Sequence, residues 1–214
     1  MPDCRLYLIT PPVLDPITFA PRLAEALDAG DVACVQLRLK GVDDDTVRRT
    51  IDHLRPLVQD RDVAFILNDR PDLAAATGCD GVHIGQDDTP YPAARQQVGA
   101  DAIVGVSCMD SRHLALEAAD AGADYVAFGP FFPTTTKITD CVAGLDLLTW
   151  WNDLVEIPVV AIGGITPGNC GPLVHAGANF LAVVSAIWDH IDGPGAAVKA
   201  FNSAIAAAEP PAEA

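Results

Sequence analysis

The sequence predicts a single (β/α)8 barrel, and three observations carry that expectation. Short apolar runs rich in Val, Ile and Ala alternate with longer segments of helical period from one end of the chain to the other. The runs number eight, and their short, even spacing fits a closed parallel barrel of the TIM type better than an open doubly wound sheet. The 214 residues, half of them apolar, suffice for one domain with one sizeable core.

The elements follow in order. The first strand, Arg5 to Thr10, leads to a helix over Ile17 to Asp28, entered through the cap and first-turn pair Asp15 and Pro16. A second strand, Ala33 to Lys40, precedes a helix over Asp44 to Gln59. Val63 to Asn68 with Pro71 to Ala76, and Gly81 to Ile84 with Pro92 to Val98, make the third and fourth units. The fifth joins Ile103 to Ser107 with His113 to Ala121, its helix opened by Asp110 and Ser111. The sixth joins Tyr125 to Phe128 with Leu145 to Asp153. In the seventh, Val159 to Ile162 is followed by a helix over Pro167 to His175 that Thr166 and Pro167 open. Phe180 to Val184 and a helix over Pro194 to Ala207 complete the count. Gly30, Gly78, Gly122 and Gly177 fall where helices should stop. The phrases ATGCD, DAGAD and HAGAN each precede a strand and read as one repeated turn rather than as chemistry. The domain is expected to span 1–206, with 207–214 a disordered tail of Ala, Pro and Glu.

Composition narrows the function. Cys4, Cys34, Cys79, Cys108, Cys141 and Cys170 form no C-x-x-C pair and read as reduced structural thiols. A formal charge of −16 speaks against nucleic acid and against anionic membranes. No apolar stretch approaches the roughly 18 residues of a membrane span, and MPDCRLYLIT runs straight into a strand pattern. A cytoplasmic protein acting on small molecules is expected, and a homodimer is an assembly the sequence allows. Anionic substrates would have to be drawn in locally, against the overall field.

Parallel strands covered on both faces should be apolar, so polar residues at their carboxyl ends need a reason. Gln36, Arg38 and Lys40 alternate along the second strand and so share its inward face. Asn68 and Asp69 follow the third strand, and His83, Gln86, Asp87 and Asp88 lie on or after the fourth. Ser107 ends the fifth, and the loop GPFFPTTTK after the sixth offers Thr134, Thr135, Thr136 and Lys137. Gly163 and Gly164 end the seventh, and Ser185 opens a short helix after the eighth. Asp69 and Asp88 make a hard oxygen site suited to Mg²⁺. Arg38, Lys40 and Lys137 concentrate positive charge beside it, while the seventh and eighth loops occupy the usual barrel position for a phosphate monoester. One mouth thus holds two anion sites, and no residue set reads as a nucleophile with its base.

Plainer readings exist for the same residues. Arg38 and Lys40 could be solvated ends paired to Asp43 or Asp44, and Asp69 could cap a helix. Asp87 reads as a solvated turn residue, His83 as a satisfied core histidine, and Thr134 and Thr136 could be turn hydroxyls. Trp150 and Trp151 are expected to pack a helix on the barrel or against a neighbour, without chemistry.

QLRLK, LNDR, GVHIGQDD, GVS, GPFFPTTTK, AIGGI and VVSAI occur in the order and at the spacings of the thiamine phosphate synthase family. The resemblance spans nearly the whole chain, and GVHIGQDD with the TTTK loop is its specific part. It implies a transferase that joins 4-amino-5-hydroxymethyl-2-methylpyrimidine diphosphate to 4-methyl-5-(2-phosphoethyl)thiazole and releases pyrophosphate. Carried over by position, Gln36, Arg38, Lys40, Asn68, Ser107 and Lys137 would bind the pyrimidine diphosphate, with Arg38, Lys40, Ser107 and Lys137 catalytic. Asp69 and Asp88 would hold Mg²⁺, and Thr134, Thr135, Thr136, Gly164, Val184 and Ser185 would bind the thiazole phosphate. The family pattern implies dissociative chemistry, in which the diphosphate leaves before the thiazole nitrogen attacks.

Two departures stand out. Leu39 replaces an acid in the second motif, on a side chain expected to point toward the wall or helix layer, and Cys108 and Met109 replace a small residue and His after GVS. Two alternatives remain: a thiazole tautomerase, whose pattern has that His and lacks the Thr and Lys loop, and a non-catalytic barrel that binds a thiamine precursor for regulation.

Overall fold

Two side-chain periodicities become the two faces of one closed sheet. In the computed structural model, which describes residues 4–134 and 141–208, eight parallel strands pair in chain order. They are β1 (Arg5–Ile9), β2 (Val32–Leu37), β3 (Ala64–Asn68), β4 (Gly81–Ile84), β5 (Ile103–Met109), β6 (Tyr125–Phe128), β7 (Val159–Ile162) and β8 (Phe180–Val183). β8 returns to pair with β1 and closes the barrel, as expected.

Residues of one parity, including Leu6, Leu8, Val35, Leu37, Phe65 and Leu67, point outward into a shared core with the helices. The other parity fills the interior with Tyr7, Ile9, Cys34, Ile66, Tyr125, Ala127, Val160 and Ala182. The outer layer comprises α1 (Pro16–Asp28), α2 (Asp44–Gln59), α3 (Pro71–Thr77), α4 (Tyr91–Val98), α5 (Arg112–Ala121), α6 (Leu145–Leu154), α7 (Gly171–His175), α8 (Ser185–Trp188) and α9 (Pro194–Ala208). Trp151 is fully buried and packs edge-on to Phe128, so α6 is seated on the barrel as expected. Leu39 packs against the outer core.

Caps account for several helix starts. Asp15 accepts the Thr18 N–H before α1, Asp43 that of Thr46 before α2, and Ser111 that of Leu114 before α5. The repeated turn phrase acquires a structural job. Its last residue reaches across to the N–H at the start of the preceding strand: Asp80 to Phe65 at 2.7 Å, Asp124 to Val104 at 2.7 Å and Asn179 to Val159 at 2.8 Å. These clamps sit at the amino ends of the strands, opposite the mouth.

Several boundaries differ from expectation, and three of the differences matter to the site or to the extent of the domain. β2 ends at Leu37 rather than Lys40, because the next N–H groups on its β1 side bond to the loop after β1 instead of to a strand. Arg38 N–H goes to Thr10 Oγ1 at 3.0 Å, and Lys40 N–H goes to Pro12 O at 3.0 Å. α7 begins at Gly171 rather than Pro167, because Asn169 Oδ1 takes the Thr166 N–H at 2.7 Å and folds those residues into a turn. α9 runs to Ala208, whose side chain is buried, so the ordered domain passes 206; positions 209–214 of the expected tail lie outside the described residues.

Candidate active site

A cavity of about 430 Å³ opens at the carboxyl ends of the strands. Gln36, Arg38, Lys40, Asn68, Asp69, Asp88, Ser107, Thr134, Gly164, Val184 and Ser185 all line it. Thr135, Thr136 and Lys137 lie outside the described residues.

The floor is built by inward strand positions. Gln36, 3 % exposed, donates from Nε2 to the Tyr7 hydroxyl at 2.7 Å. Tyr7 and Tyr125 share a hydrogen bond of 2.8 Å between their hydroxyls. Tyr125 lies 2.9 Å from His83 Nδ1, and His83 Nε2 lies 2.8 Å from Ser107 Oγ. Gly105 leaves room for this arrangement, since a Cβ there would lie 1.9 Å from the Tyr125 ring. Burial holds both phenols well above their ordinary range, with the Cys34 thiol adding to the effect on each and the Tyr125 oxygen adding to it on Tyr7, so both are neutral hydroxyls.

His83 is thus the satisfied core histidine of the plainer reading, and it also lines the cavity. No residue set was expected to read as a nucleophile with its base; β4 and β5 nonetheless pair in register and bring Ser107 within hydrogen-bond reach of the His83 imidazole. Tyr7 and Tyr125 escaped sequence reasoning. Two tyrosines at inward positions of buried strands were the available signal, because a buried phenol requires a partner.

The charged wall follows the ends of β2, β3 and β4. Lys40 Nζ sits 2.6 Å from Asp69 Oδ2, and Asp88 Oδ2 accepts the Gly85 N–H at 2.8 Å. The Asp69 and Asp88 carboxyls lie close enough to perturb one another. Burial disfavours charge on both. On Asp69 the Lys40 ammonium and the Asp88 contact outweigh it and hold the carboxyl below its ordinary range. On Asp88 burial prevails, reinforced by Asp69, and raises the carboxyl. Asp69 has φ +65°, a left-handed conformation that aims its side chain at this cluster.

The plainer readings of these residues fail. Asp43 caps α2 and Asp44 pairs with Arg70, while the Arg38 guanidinium has no carboxylate partner among the described residues. Arg70, not Asp69, stands at the cap of α3, and it caps without a side-chain bond. Asp87 is exposed as expected yet still lines the cavity. Cys108 is fully buried, while Met109, at φ +53° beyond a register shift in β5, lines the cavity at 39 % exposure.

The far wall joins β7 to the loop after β6. Gly163 and Gly164 adopt φ +103° and +63°. A Cβ on Gly163 would meet Pro130 at 2.3 Å, and one on Gly164 the Pro133 carbonyl at 2.4 Å. Phe131 and Phe132 donate to the carbonyls of Ile162 and Gly163, both at 3.1 Å. The glycines were expected to admit a ligand; here they also seat the hydroxyl-bearing loop.

Asp69 and Asp88 offer only oxygen donors, and no cluster of three or more His, Cys, Asp or Glu occurs among the described residues. Two carboxylates beside open cavity space fit Mg²⁺, which keeps waters and bridges to substrate phosphates. Sulfur or imidazole ligands for a softer metal are lacking in this pair.

A family model described as thiamine monophosphate synthase matches residues 6–187. The thiamine-phosphate synthase of Rhodospirillum centenum is 66% identical over 202 residues, covering 94% of this chain and 98% of that one. That of Hyphomonas neptunium is 49% identical over 207 residues, covering 94% of each. The solved thiamine phosphate pyrophosphorylase of Pyrococcus furiosus superposes with a TM-score of 0.84 at 32% identity, over 96% of this chain and 97% of that one. Similarity of this depth, along nearly the full length of a barrel with an anion-suited mouth, leads to one conclusion: the chain belongs to the thiamine monophosphate synthase family.

Proposed function

We propose that this chain is the transferase that condenses 4-amino-5-hydroxymethyl-2-methylpyrimidine diphosphate with 4-methyl-5-(2-phosphoethyl)thiazole to thiamine phosphate and pyrophosphate. The observation that carries the reading is a single cavity with two unlike anion-binding walls. A carboxylate and cation wall ends β2, β3 and β4, and a glycine and hydroxyl wall ends β7 and β8. A hydrolase or isomerase needs one such wall; a condensation of two phosphorylated substrates needs both.

The pyrimidine diphosphate lies along the first wall, with its ring over Gln36, Asn68 and Ser107 and its phosphates toward Arg38, Lys40 and Lys137. Asp69 and Asp88 hold Mg²⁺, which when bound neutralises diphosphate oxygens and so makes the pyrophosphate a better leaving group. The carbon–oxygen bond breaks with its electron pair leaving on pyrophosphate, and Arg38, Lys40 and Lys137 stabilise that charge. The thiazole phosphate is held by Thr134, Thr135, Thr136, Gly164, Val184 and Ser185. This fixes the ring so that its nitrogen lone pair forms the new carbon–nitrogen bond. The roles of Thr135, Thr136 and Lys137 rest on the TTTK motif. The substrates are small anions, and neither nucleic acid nor membrane takes part; among the described residues no helix is long and apolar enough to cross a membrane.

Cys108 is buried in the outer core and Met109 cannot transfer a proton, so neither stands in for the His of the tautomerase pattern. The decisive assay supplies purified protein with both precursors and Mg²⁺. Thiamine phosphate and pyrophosphate should appear in equal amounts. Aromatised thiazole without condensation, or no turnover at all, would overturn the proposal.

A further inference from the structure

The cavity floor contains an unbroken line of hydrogen bonds, Gln36 to Tyr7 to Tyr125 to His83 to Ser107, with lengths of 2.7, 2.8, 2.9 and 2.8 Å. Each phenol has one proton and a neutral imidazole one N–H, so every link determines the next. No other hydrogen-bond partner of either phenol exists among the described residues, and each proton therefore stays in the line. Two arrangements satisfy all four links. In one, every proton points from Gln36 toward Ser107: Tyr7 donates to Tyr125, Tyr125 to Nδ1, and Nε2–H to Ser107 Oγ. The cavity then meets the Gln36 carbonyl oxygen as acceptor and the Ser107 O–H as donor. In the other, every proton is reversed, Ser107 donates to Nε2, and its oxygen becomes the activated hydroxyl of a nucleophile.

We propose that the first arrangement holds, and that Tyr7, Tyr125 and His83 are positioning residues. They make Ser107 a fixed donor and Gln36 a fixed acceptor for an amino-substituted nitrogen heterocycle. Three observations support that sense. Gln36 turns its amide nitrogen to Tyr7, and its oxygen is neither bonded nor counted among the buried unsatisfied atoms, so it faces the cavity. His83 Nδ1 meets a hydroxyl rather than the carboxylate that holds an Nδ1–H in nucleophilic triads. Burial keeps both phenols protonated and able to relay the order set at Gln36. An amino group donates and an unprotonated ring nitrogen accepts, so a 4-aminopyrimidine matches this floor while a 4-oxopyrimidine, whose oxygen accepts and whose neighbouring ring nitrogen carries a proton, reverses both signs. The mismatch leaves a buried polar group unpaired, the most discriminating kind of error.

The identity of the heterocycle rests on the synthase reading; the proton order does not. Two-bond ¹H–¹⁵N spectra of the ¹⁵N-labelled protein, with the His83 signals assigned by their loss in His83→Gln, should show the Nε2–H tautomer at neutral pH. In Tyr125→Phe, Nδ1 loses its donor. The KM for the pyrimidine diphosphate should rise roughly fivefold to tenfold, as expected for one hydrogen bond, and preference for the 4-amino over the 4-oxo substrate should fall by a similar factor. The KM for the thiazole phosphate should not change. An Nδ1–H tautomer in the wild-type protein, or Tyr125→Phe with unchanged pyrimidine KM and preference, would overturn the inference. Failure of the wild-type protein to form thiamine phosphate would instead sink the synthase reading, while the tautomer spectrum still decided the proton order.

Discussion

Arg38 is the residue whose role follows most directly from what surrounds it. Its backbone is tied to Thr10, its side chain lines the cavity, and the acids that could have neutralised it are engaged elsewhere. A cation with no carboxylate partner among the described residues, in a cavity that two carboxyls also line, serves a ligand rather than the fold. Arg38→Ala should lower kcat by on the order of a hundredfold, as for loss of one strong charge-stabilising donor, with the unfolding free energy changed by less than about 0.5 kcal/mol. Steady-state kinetics and a urea titration check the two halves, and a large stability loss with intact turnover would reverse the assignment. The rim was legible residue by residue because charged groups at the ends of buried strands have no structural excuse. Tyr7 and Tyr125 were not, because a tyrosine inside an apolar run looks like any core aromatic until its hydroxyl partner, 118 positions away, is known.

Strands and helices could be located in the sequence because apolar runs change period between them, yet two ends depended on hydrogen bonds that override the local pattern. The alternation of QLRLK persists past Leu37, although ladder bonding stops there once the β1 loop captures Arg38 and Lys40. Thr166 and Pro167 carry a helix-start signature, and Asn169 diverts it. At this scale the turn clamps make a stability prediction. Asn179→Ala leaves the Val159 N–H unpaired and should cost about 1–3 kcal/mol in urea unfolding, with kcat unchanged because the clamp lies opposite the mouth. Gly164→Ala should behave in the opposite way. Its Cβ collides with the Pro133 carbonyl, and its backbone conformation costs about 1–2 kcal/mol for a residue with a side chain. Displacement of the loop after β6 should raise the KM for the thiazole phosphate at least about tenfold while sparing that for the pyrimidine. Equal effects on both substrates would mean that the loop does not serve the thiazole wall.

For the whole molecule, the interior predicts an alkaline limit to stability. Burial pushes the Cys108 thiol up to about 12, and also raises Cys34, Tyr7 and Tyr125. Each is neutral when folded and ionises sooner when unfolded, so the stabilisation is complete below the unfolded values, roughly 8.5 for a thiol and 10 for a phenol. It is lost as pH rises toward the folded values, at about 1.4 kcal/mol per unit for each group. Urea midpoints should fall steadily from about pH 8.5 to pH 10.5, and more shallowly in Cys108→Ala; identical slopes would exclude that thiol as a source. The clamps at Asp80, Asp124 and Asn179 reach further than the strength of any one bond. They fasten the barrel at the end away from the chemistry, so mutations that alter the rim and mutations that secure the foot draw on different residues. A chain built this way is evolvable: its mouth can drift toward new heterocycles over generations while the foot keeps every intermediate folded.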